Sequence, residues 1–445
     1  MRKYLYILIV FLALITVSCS NSSSTTNQSS VARLTSFGLA NDSFPGLKKA
    51  VFTIEERIDT GIVYNRDSML YGTKLNKVRP HFTFAATPGT AALIFPDTTV
   101  RFTGNDTLDF TKKPIYFYIQ STDKKNTKVY EIRPTVHQAD PDLYTWERLN
   151  SGIYPPDDSE QKVVERNDRF VMIVSNGFEL HAYSSPDGVS WSDLGEPSGL
   201  PSGTRVRQII SDGKTLYYGS GNHIYSSSDA ITWTATAVSH NVVTMLLYWE
   251  DLVWALVEPA ENRYELAWFR GDTLAMSGLQ PDDNFPVSDF GVVQFNSASG
   301  RDRATIIGGF AENGRSLDSQ WNLEYTKYME GGKGSFRLEE FSIGRPSSMS
   351  VTGISVVWYD DKLLLFGGVD DKMAYLGRDI YISSNEGMTW SLADTTKNRL
   401  PAEYQARQKQ NAIRRGSYIY LFGGQDSKNT YSDVYRGKLN SIDWK

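Results

Sequence analysis

Val356 to Gly368, VVWYDDKLLLFGG, is two apolar runs split by a short polar turn and closed by a glycine pair. Short runs rich in Val, Leu, Phe and Trp around Asp-Asp-Lys read as the two strands of an antiparallel hairpin. The pattern returns at intervals of roughly 40–60 residues, a period that restricts the chain to a repeat architecture. Six copies align from Tyr144 onward. They pair Val163-Val164 with Phe170 to Val174, Ile209-Ile210 with Leu216 to Tyr218, and Met245 to Leu247 with Leu252 to Leu256. They continue with Gly291 to Phe295 against Ala304 to Gly309, the opening stretch itself, and Ala412-Ile413 against Tyr418 to Gly424.

A further short strand follows each hairpin: Leu180 to Tyr183, His223 to Tyr225, Tyr264 to Phe269, Trp321 to Tyr325, Asp379 to Ile382 and Asp433 to Arg436. Six four-stranded sheets closed into a ring leave few open edges, so a six-bladed β-propeller is expected over residues 144–445. Trp146 to Leu149 is placed to complete the last blade. Two blades resemble kelch repeats, with LLLFGG at Leu363 to Gly368 and IYLFGG at Ile419 to Gly424, and TIIGGF from Thr305 is a weaker copy. Three segments resemble the Asp-box, Ser-x-Asp-x-Gly-x-x-Trp: Ser184 to Trp191, Ser226 to Trp233 and Ser383 to Trp390. In such a turn a short polar side chain bonds local backbone and Trp packs on the blade. Asp187, Asp229 and Asn385 are therefore read as structural.

Composition agrees with an all-β chain: 13% aromatic residues, 35 Gly and no long amphipathic helical pattern in 445 residues. A net charge of -5 without a basic block excludes a nucleic-acid footprint. The sole cysteine, Cys19, follows Met1-Arg2-Lys3, an apolar run from Tyr4 to Ile15 and Thr16-Val17-Ser18. That is a secretory signal whose apolar core is short for a membrane span. Compact residues before a cysteine resemble a bacterial lipobox, which implies cleavage after residue 18 and lipidation of Cys19. NSSSTTNQSS, Asn21 to Ser30, is a polar tether, so residues 19–30 make the lipidated cysteine and its linker.

Residues 31–140 show short β-like runs without the glycine pair: Ala50 to Ile54, Val78 to Phe84, Ala91 to Phe95, Ile115 to Ile119 and Lys128 to Thr135. An antiparallel sandwich is expected. Leu108-Asp109-Phe110-Thr111, Pro114-Ile115-Tyr116 and Val129-Tyr130-Glu131-Ile132 resemble the last strands of small bacterial Ig-like envelope domains, which are usually spacers. Across most of its length the chain resembles Bacteroidetes-type lipoproteins with an Ig-like domain and a kelch/Asp-box-like propeller. That resemblance implies an outer-membrane lipoprotein, with the periplasmic or surface side left open.

Two kinds of site compete. In kelch-like blades an arginine often precedes the inner strand, and Arg205, Arg207, Arg345 and Arg407 hold comparable places. Guanidinium groups from separate blades converging on an anionic sugar fit that chemistry; the bland reading pairs each with a neighbouring carboxylate. The loops after the glycine pairs offer Asp370, Asp371, Tyr375, Asp426 and Tyr431 as a recognition face. Sialidase-like chemistry lacks its Arg-Ile-Pro phrase in the first blade. A Cys-Tyr cofactor is excluded because Cys19 is the only cysteine. No cofactor and no metal site is expected; His181 and His223 occupy equivalent strand positions in different blades, and His81 and His137 stand alone. The resulting expectation is a membrane-anchored module binding a glycan or an envelope protein, leaning away from an enzyme. The alternative is a glycan-active hydrolase or a sugar isomerase or mutarotase, since kelch-like propellers include a sialic-acid mutarotase.

Overall fold

The computed structural model describes residues 29–150, 160–260, 263–297, 300–326, 334–342 and 350–444. The signal segment, Cys19, the tether up to residue 28 and Arg345 lie outside the described residues. The chain divides into two compact units, Met1–Asp140 and Pro141–Lys445. Both are built of strands, and among the described residues the only helical turns are three short 3-10 segments.

In the first unit a two-stranded sheet (Leu34–Ala40 with Arg79–Phe84) faces a six-stranded sheet. The larger sheet runs Phe52–Glu56, Thr60–Asn65, Thr127–Arg133, Ile115–Gln120, Thr90–Ile94, Thr99–Arg101. Phe82 of the small sheet stacks on Phe117 of the large one at 3.8 Å, and Phe37 meets Phe52 edge-on at 4.7 Å. Buried Tyr130 ties the sheets polarly: the Leu34 amide donates to its hydroxyl at 3.0 Å, and the hydroxyl donates to Glu56 at 2.8 Å. The expectation of a wholly antiparallel sandwich is corrected at one pair, because Thr60–Asn65 and Thr127–Arg133 run parallel. The chain between them passes through the other sheet, and a crossover of that length permits parallel entry where a tight turn does not. Ser29 and Ser30, read as the end of the tether, are fixed to this unit: the Ser29 amide donates to Thr122 Oγ1 and the Asn126 amide group donates to the Ser30 carbonyl.

The second unit contains all six hairpins. They are Glu160–Arg166 with Arg169–Ser175, Ile210–Ser211 with the start of Leu216–Ser227, and the end of Thr234–Trp249 with Leu252–Ala260. Gly291–Asn296 with Asp302–Ile307, Ser355–Tyr359 with Lys362–Phe366, and Asn411–Arg415 with Tyr418–Gln425 complete them. Three of the tips are two-residue loops with both residues at positive φ: Asn167-Asp168, Glu250-Asp251 and Asp360-Asp361. Such loops carry the twist that neighbouring strands need, and short Asx side chains tolerate the conformation best. Four of the sheets have four strands, while the second and third hairpins share one six-stranded sheet because Thr234–Trp249 continues from one into the other. The last sheet takes Tyr144–Asn150 as its fourth strand, paired antiparallel with Thr430–Leu439, so the two ends of this unit lie in one sheet.

The serine–acid turns have the geometry their sequences imply, with one adjustment. The capping hydroxyls belong to Ser185, Ser227 and Ser383, each two residues before the acid or amide. Asp187 accepts from the Val189 and Ser190 amides at 2.8 Å, and Asp229 accepts from those of Ile231 and Thr232. Trp191 and Trp233 then donate to the carbonyls of Gly188 and Ala230. Counted from Ser185 and Ser227 rather than from Ser184 and Ser226, the acid stands at the third position of the motif, and the turn is one residue shorter than at Ser383.

Candidate functional site

The inner strands of all six hairpins face one channel. Val164, Ile210, Leu246, Val292, Val356 and Ala412, one from each inner strand, line a cavity of about 630 Å³. A second cavity of about 300 Å³ shares Lys162, Ile210, Leu246 and Val292 with the first, so the two are adjoining stretches of the same channel. The smaller stretch carries the charges: Glu160, Lys162, Arg205, Arg207 and Asp289 line it. A third cavity, at Glu250, Asp251 and Asp302, gathers carboxylates and lies among the hairpin tips.

The charged stretch is assembled from separate sheets. Two residues before the inner strands at Gly291, Ser355 and Asn411 lie Asp289, Gly353 and Lys409, all at positive φ (52°, 63° and 58°). Their backbones form a chain: the Lys409 amide donates to the Gly353 carbonyl and the Gly353 amide to the Asp289 carbonyl, each at 2.7 Å. Arg207 closes the gap, donating from Nε to Asp289 at 3.1 Å and from Nη1 to the Lys409 carbonyl at 2.6 Å. The Lys409 ammonium lies 3.6 Å from both Asp289 and Glu160. The two carboxylates are therefore no more than twice that distance apart. Non-glycine residues held left-handed are strained, and such strain gathers where side chains must be aimed.

Lys162 lies two residues beyond Glu160 on the same strand, so both project to the channel face. Among the described residues no hydrogen bond or ion pair engages its ammonium. Burial, and secondarily the positive charge of Arg207, push its pKa down to about 8. A lysine so placed carries a sizeable neutral fraction near physiological pH. The charged groups at this mouth are Glu160, Asp289, Lys162, Arg205, Arg207 and Lys409; cations outnumber carboxylates, which favours an anionic guest.

The other expected site residues lie elsewhere. Arg205 is exposed at the channel mouth and Arg207 half-buried inside it. Arg407 is 1% exposed, with its guanidinium committed to Asp433 and the Gly423 carbonyl, and it lies between the rings of Tyr431 and Tyr404 at 3.9 and 4.4 Å. The pairing with a neighbouring carboxylate that was weighed against a ligand role thus describes this arginine. Asp370 accepts from the amides of Lys372 and Ala374 in its own loop. Asp426 does the same with Lys428 and Asn429; burial opposes its ionisation, but the Tyr431 hydroxyl and those amides hold its carboxyl down at about 2. Asp371 is exposed and Tyr375 half-buried on the same loop as Asp370. His181 pairs with Asp193 at 2.6 Å. No group of three or more potential metal ligands occurs among the described residues. Sequence reasoning passed over Lys162, Glu160, Asp289 and Lys409. Only their fixed offsets from the inner strands mark them, and those offsets need the strand register.

Sheets that present their inner strands to a common channel define a β-propeller protein. Residues 140–445 match the DUF6242 beta propeller domain, and residues 17–133 match the domain of unknown function (DUF6242) N-terminal domain. The chain belongs to this family. It is also similar to N-(sulfonatooxy)prop-2-enimidothioate sulfolyase from Thlaspi arvense, 29% identical over 100 residues, which is 22% of this chain. The chain spans 27% of the length of that curated relative. A structure described as that of YjhT is similar with a TM-score of 0.46 and 13% identity, over 64% of this chain and 95% of that one. The expectation that leaned away from an enzyme is withdrawn.

Proposed function

We propose that the second unit is a six-bladed, kelch-like propeller whose charged channel mouth binds a small acidic sugar and catalyses its isomerisation at the anomeric centre. The observation that carries this is the meeting of two carboxylates, Glu160 and Asp289, with Arg205, Arg207 and Lys162 in one cavity of monosaccharide size. Arg205 and the free edge of Arg207 take the sugar carboxylate. Glu160 removes the anomeric hydroxyl proton as the ring C–O bond breaks, and the Lys409 ammonium, 3.6 Å from Glu160, supplies the ring oxygen with a proton and regains one from Glu160; closure from either face returns either anomer. Asp289, held by Arg207 and Lys409, keeps the cations in place.

The paired glycines and serine–acid turns support the kelch-like and Asp-box-like blade assignment. The first unit serves as an Ig-like spacer, and the chain is exported and anchored in the outer membrane through lipidated Cys19. Several acyl chains there suffice for stable anchoring. Cells fed labelled palmitate should label the wild-type protein and leave Cys19→Ser unlabelled; equal labelling would reject the anchor.

The activity test is exchange spectroscopy between the anomers of acidic sugars, including a sialic acid and hexuronic acids, with and without protein. Exchange should accelerate, and Glu160→Gln should lower the catalysed rate by about a hundredfold, the lower end of what a positioned base contributes. Exchange at the buffer rate for every acidic sugar would reject the reading.

A further inference from the structure

The proton transfers proposed above assign no step to the Lys162 amine, which lines the same cavity. It has no partner among the described residues, it lies in a cavity of about 300 Å³, and Arg205 and Arg207 line the same walls. A lysine desolvated next to other cations is the standard setting for an amine nucleophile, because its proton is easily lost while the arginines remain charged. Arginines in the same cavity also fix the kind of electrophile: a carbonyl carried on a carboxylate, the pair of groups that an acidic keto sugar exposes when its ring opens.

We infer that Lys162 captures the carbonyl carbon of an open-chain keto acid as an imine, with the acid's carboxylate held by Arg205 and Arg207. This rests on the anion site proposed above. In the step, the neutral amine nitrogen bonds to the carbonyl carbon and loses its two protons, the carbonyl oxygen takes up two protons and leaves as water, and a C=N bond remains. Glu160, two residues away on the same face, is placed to pass those protons. Hydrolysis reverses the sequence and returns both the keto acid and the free amine. Lys162 is half-buried in the channel wall, and its lowered pKa of about 8 brings the free amine within reach of mildly alkaline pH.

The experiment treats the full chain with pyruvate and cyanoborohydride, which adds hydride to an imine and leaves a stable secondary amine, and maps the modified lysines by mass spectrometry. Lys162 should be modified at least tenfold faster than surface lysines, with a rate that rises through a midpoint near pH 8. Lactate, which has the carboxylate without the carbonyl, should protect it, and Arg205→Met should slow the capture. Lys162→Met should abolish the fast phase and still fold. Its melting temperature should exceed that of the wild type at pH 7, since the folded wild type there keeps a proton on a group whose pKa folding has lowered from 10.5 to about 8. That advantage should shrink between about pH 8 and 10.5, where the wild type gains stability because its unfolded chain holds the extra proton. Saturable pyruvate binding that lactate displaces, without modification of Lys162, would overturn the imine and leave the anion site standing. Fast capture at Lys162 that neither lactate nor Arg205→Met affects would support the amine chemistry and reject the anion site. Modification spread evenly over the lysines, with no lactate-sensitive binding, would reject both.

Discussion

Arg407→Ala is expected to destabilise the second unit by about 3–5 kcal/mol, the cost of leaving a buried charge without its partner. The Arg407 and Asp433 side chains are 1% and 6% exposed, so neither can recover hydration when the other is removed. Arg407 also donates from Nε to the Gln405 carbonyl at 2.8 Å and from Nη1 to that of Gly423 at 3.0 Å, and its charge is sandwiched by Tyr404 and Tyr431. Its own carbonyl accepts the Gly368 amide at 2.9 Å, so the residue links the sheet of Ser355–Tyr359 to that of Asn411–Arg415. In calorimetry the transition of this unit should fall by roughly 6–10 °C. The paired change Arg407→Met with Asp433→Leu should recover most of the loss, because Arg148, 3.6 Å from Asp433, is 46% exposed and can turn to water. A single variant that melts with the wild type would show that the pair contributes no net stability.

The same arginine shows how far a sequence can be read. Its place before the last hairpin is visible in a single chain, and so is the repetition of that place at Arg207. What separates them is invisible there. Arg407 has Asp433 on the third strand of the last sheet and two tyrosines to close over it, while Arg207 faces an Asp and a Lys supplied by blades far away in sequence. Strand and hairpin positions were legible because they depend on local alternation and on turns such as Asp360-Asp361. The parallel pair in the first unit was not, because the strands Thr60–Asn65 and Thr127–Arg133 meet only through the tertiary path of the chain. Lys162 was hidden for a related reason. Between Gln161 and Val163 it reads as an ordinary polar position on an alternating strand, and the channel that strips its hydration is made by five other hairpins. At the loops with Asp370 and Asp426 acids beside tyrosines suggest recognition, and the structure adds what the sequence does not show, that each carboxylate accepts from the amides of its own turn.

Gly308→Ala should cost about 2–5 kcal/mol, and the reason extends to every glycine pair in the repeat. Gly308-Gly309, Gly367-Gly368 and Gly423-Gly424 repeat one conformation, with φ of 59° and 91°, 60° and 92°, 50° and 99°. An L-residue in that region loses roughly 1–2 kcal/mol to its own backbone. At Gly308 the added methyl would also meet the Val351 carbonyl oxygen at 2.2 Å, a backbone atom that cannot rotate aside. Overpacking of that kind adds about 1–3 kcal/mol. Gly423 provides the contrast, since its new methyl would strike the Gln161 side chain, which can move. Urea denaturation followed by tryptophan fluorescence should therefore place Gly308→Ala below Gly423→Ala in midpoint, with both below the wild type. If the order reversed, side-chain displacement rather than backbone contact would be setting the cost. Equal losses at both positions would assign it to φ alone. Either outcome bears on the channel, because the glycine pairs sit at the ends of the second strands, and Gly309 and Gly368 donate there to Val351 and Arg407 in the segments leading to the next inner strands. Gly368 and Gly424 would press on the carbonyls of Thr352 and Gln408, neighbours of the Gly353 and Lys409 that carry the charged mouth. The close approach that only glycine permits is what brings the segments bearing Asp289, Gly353 and Lys409 near enough to bond to one another.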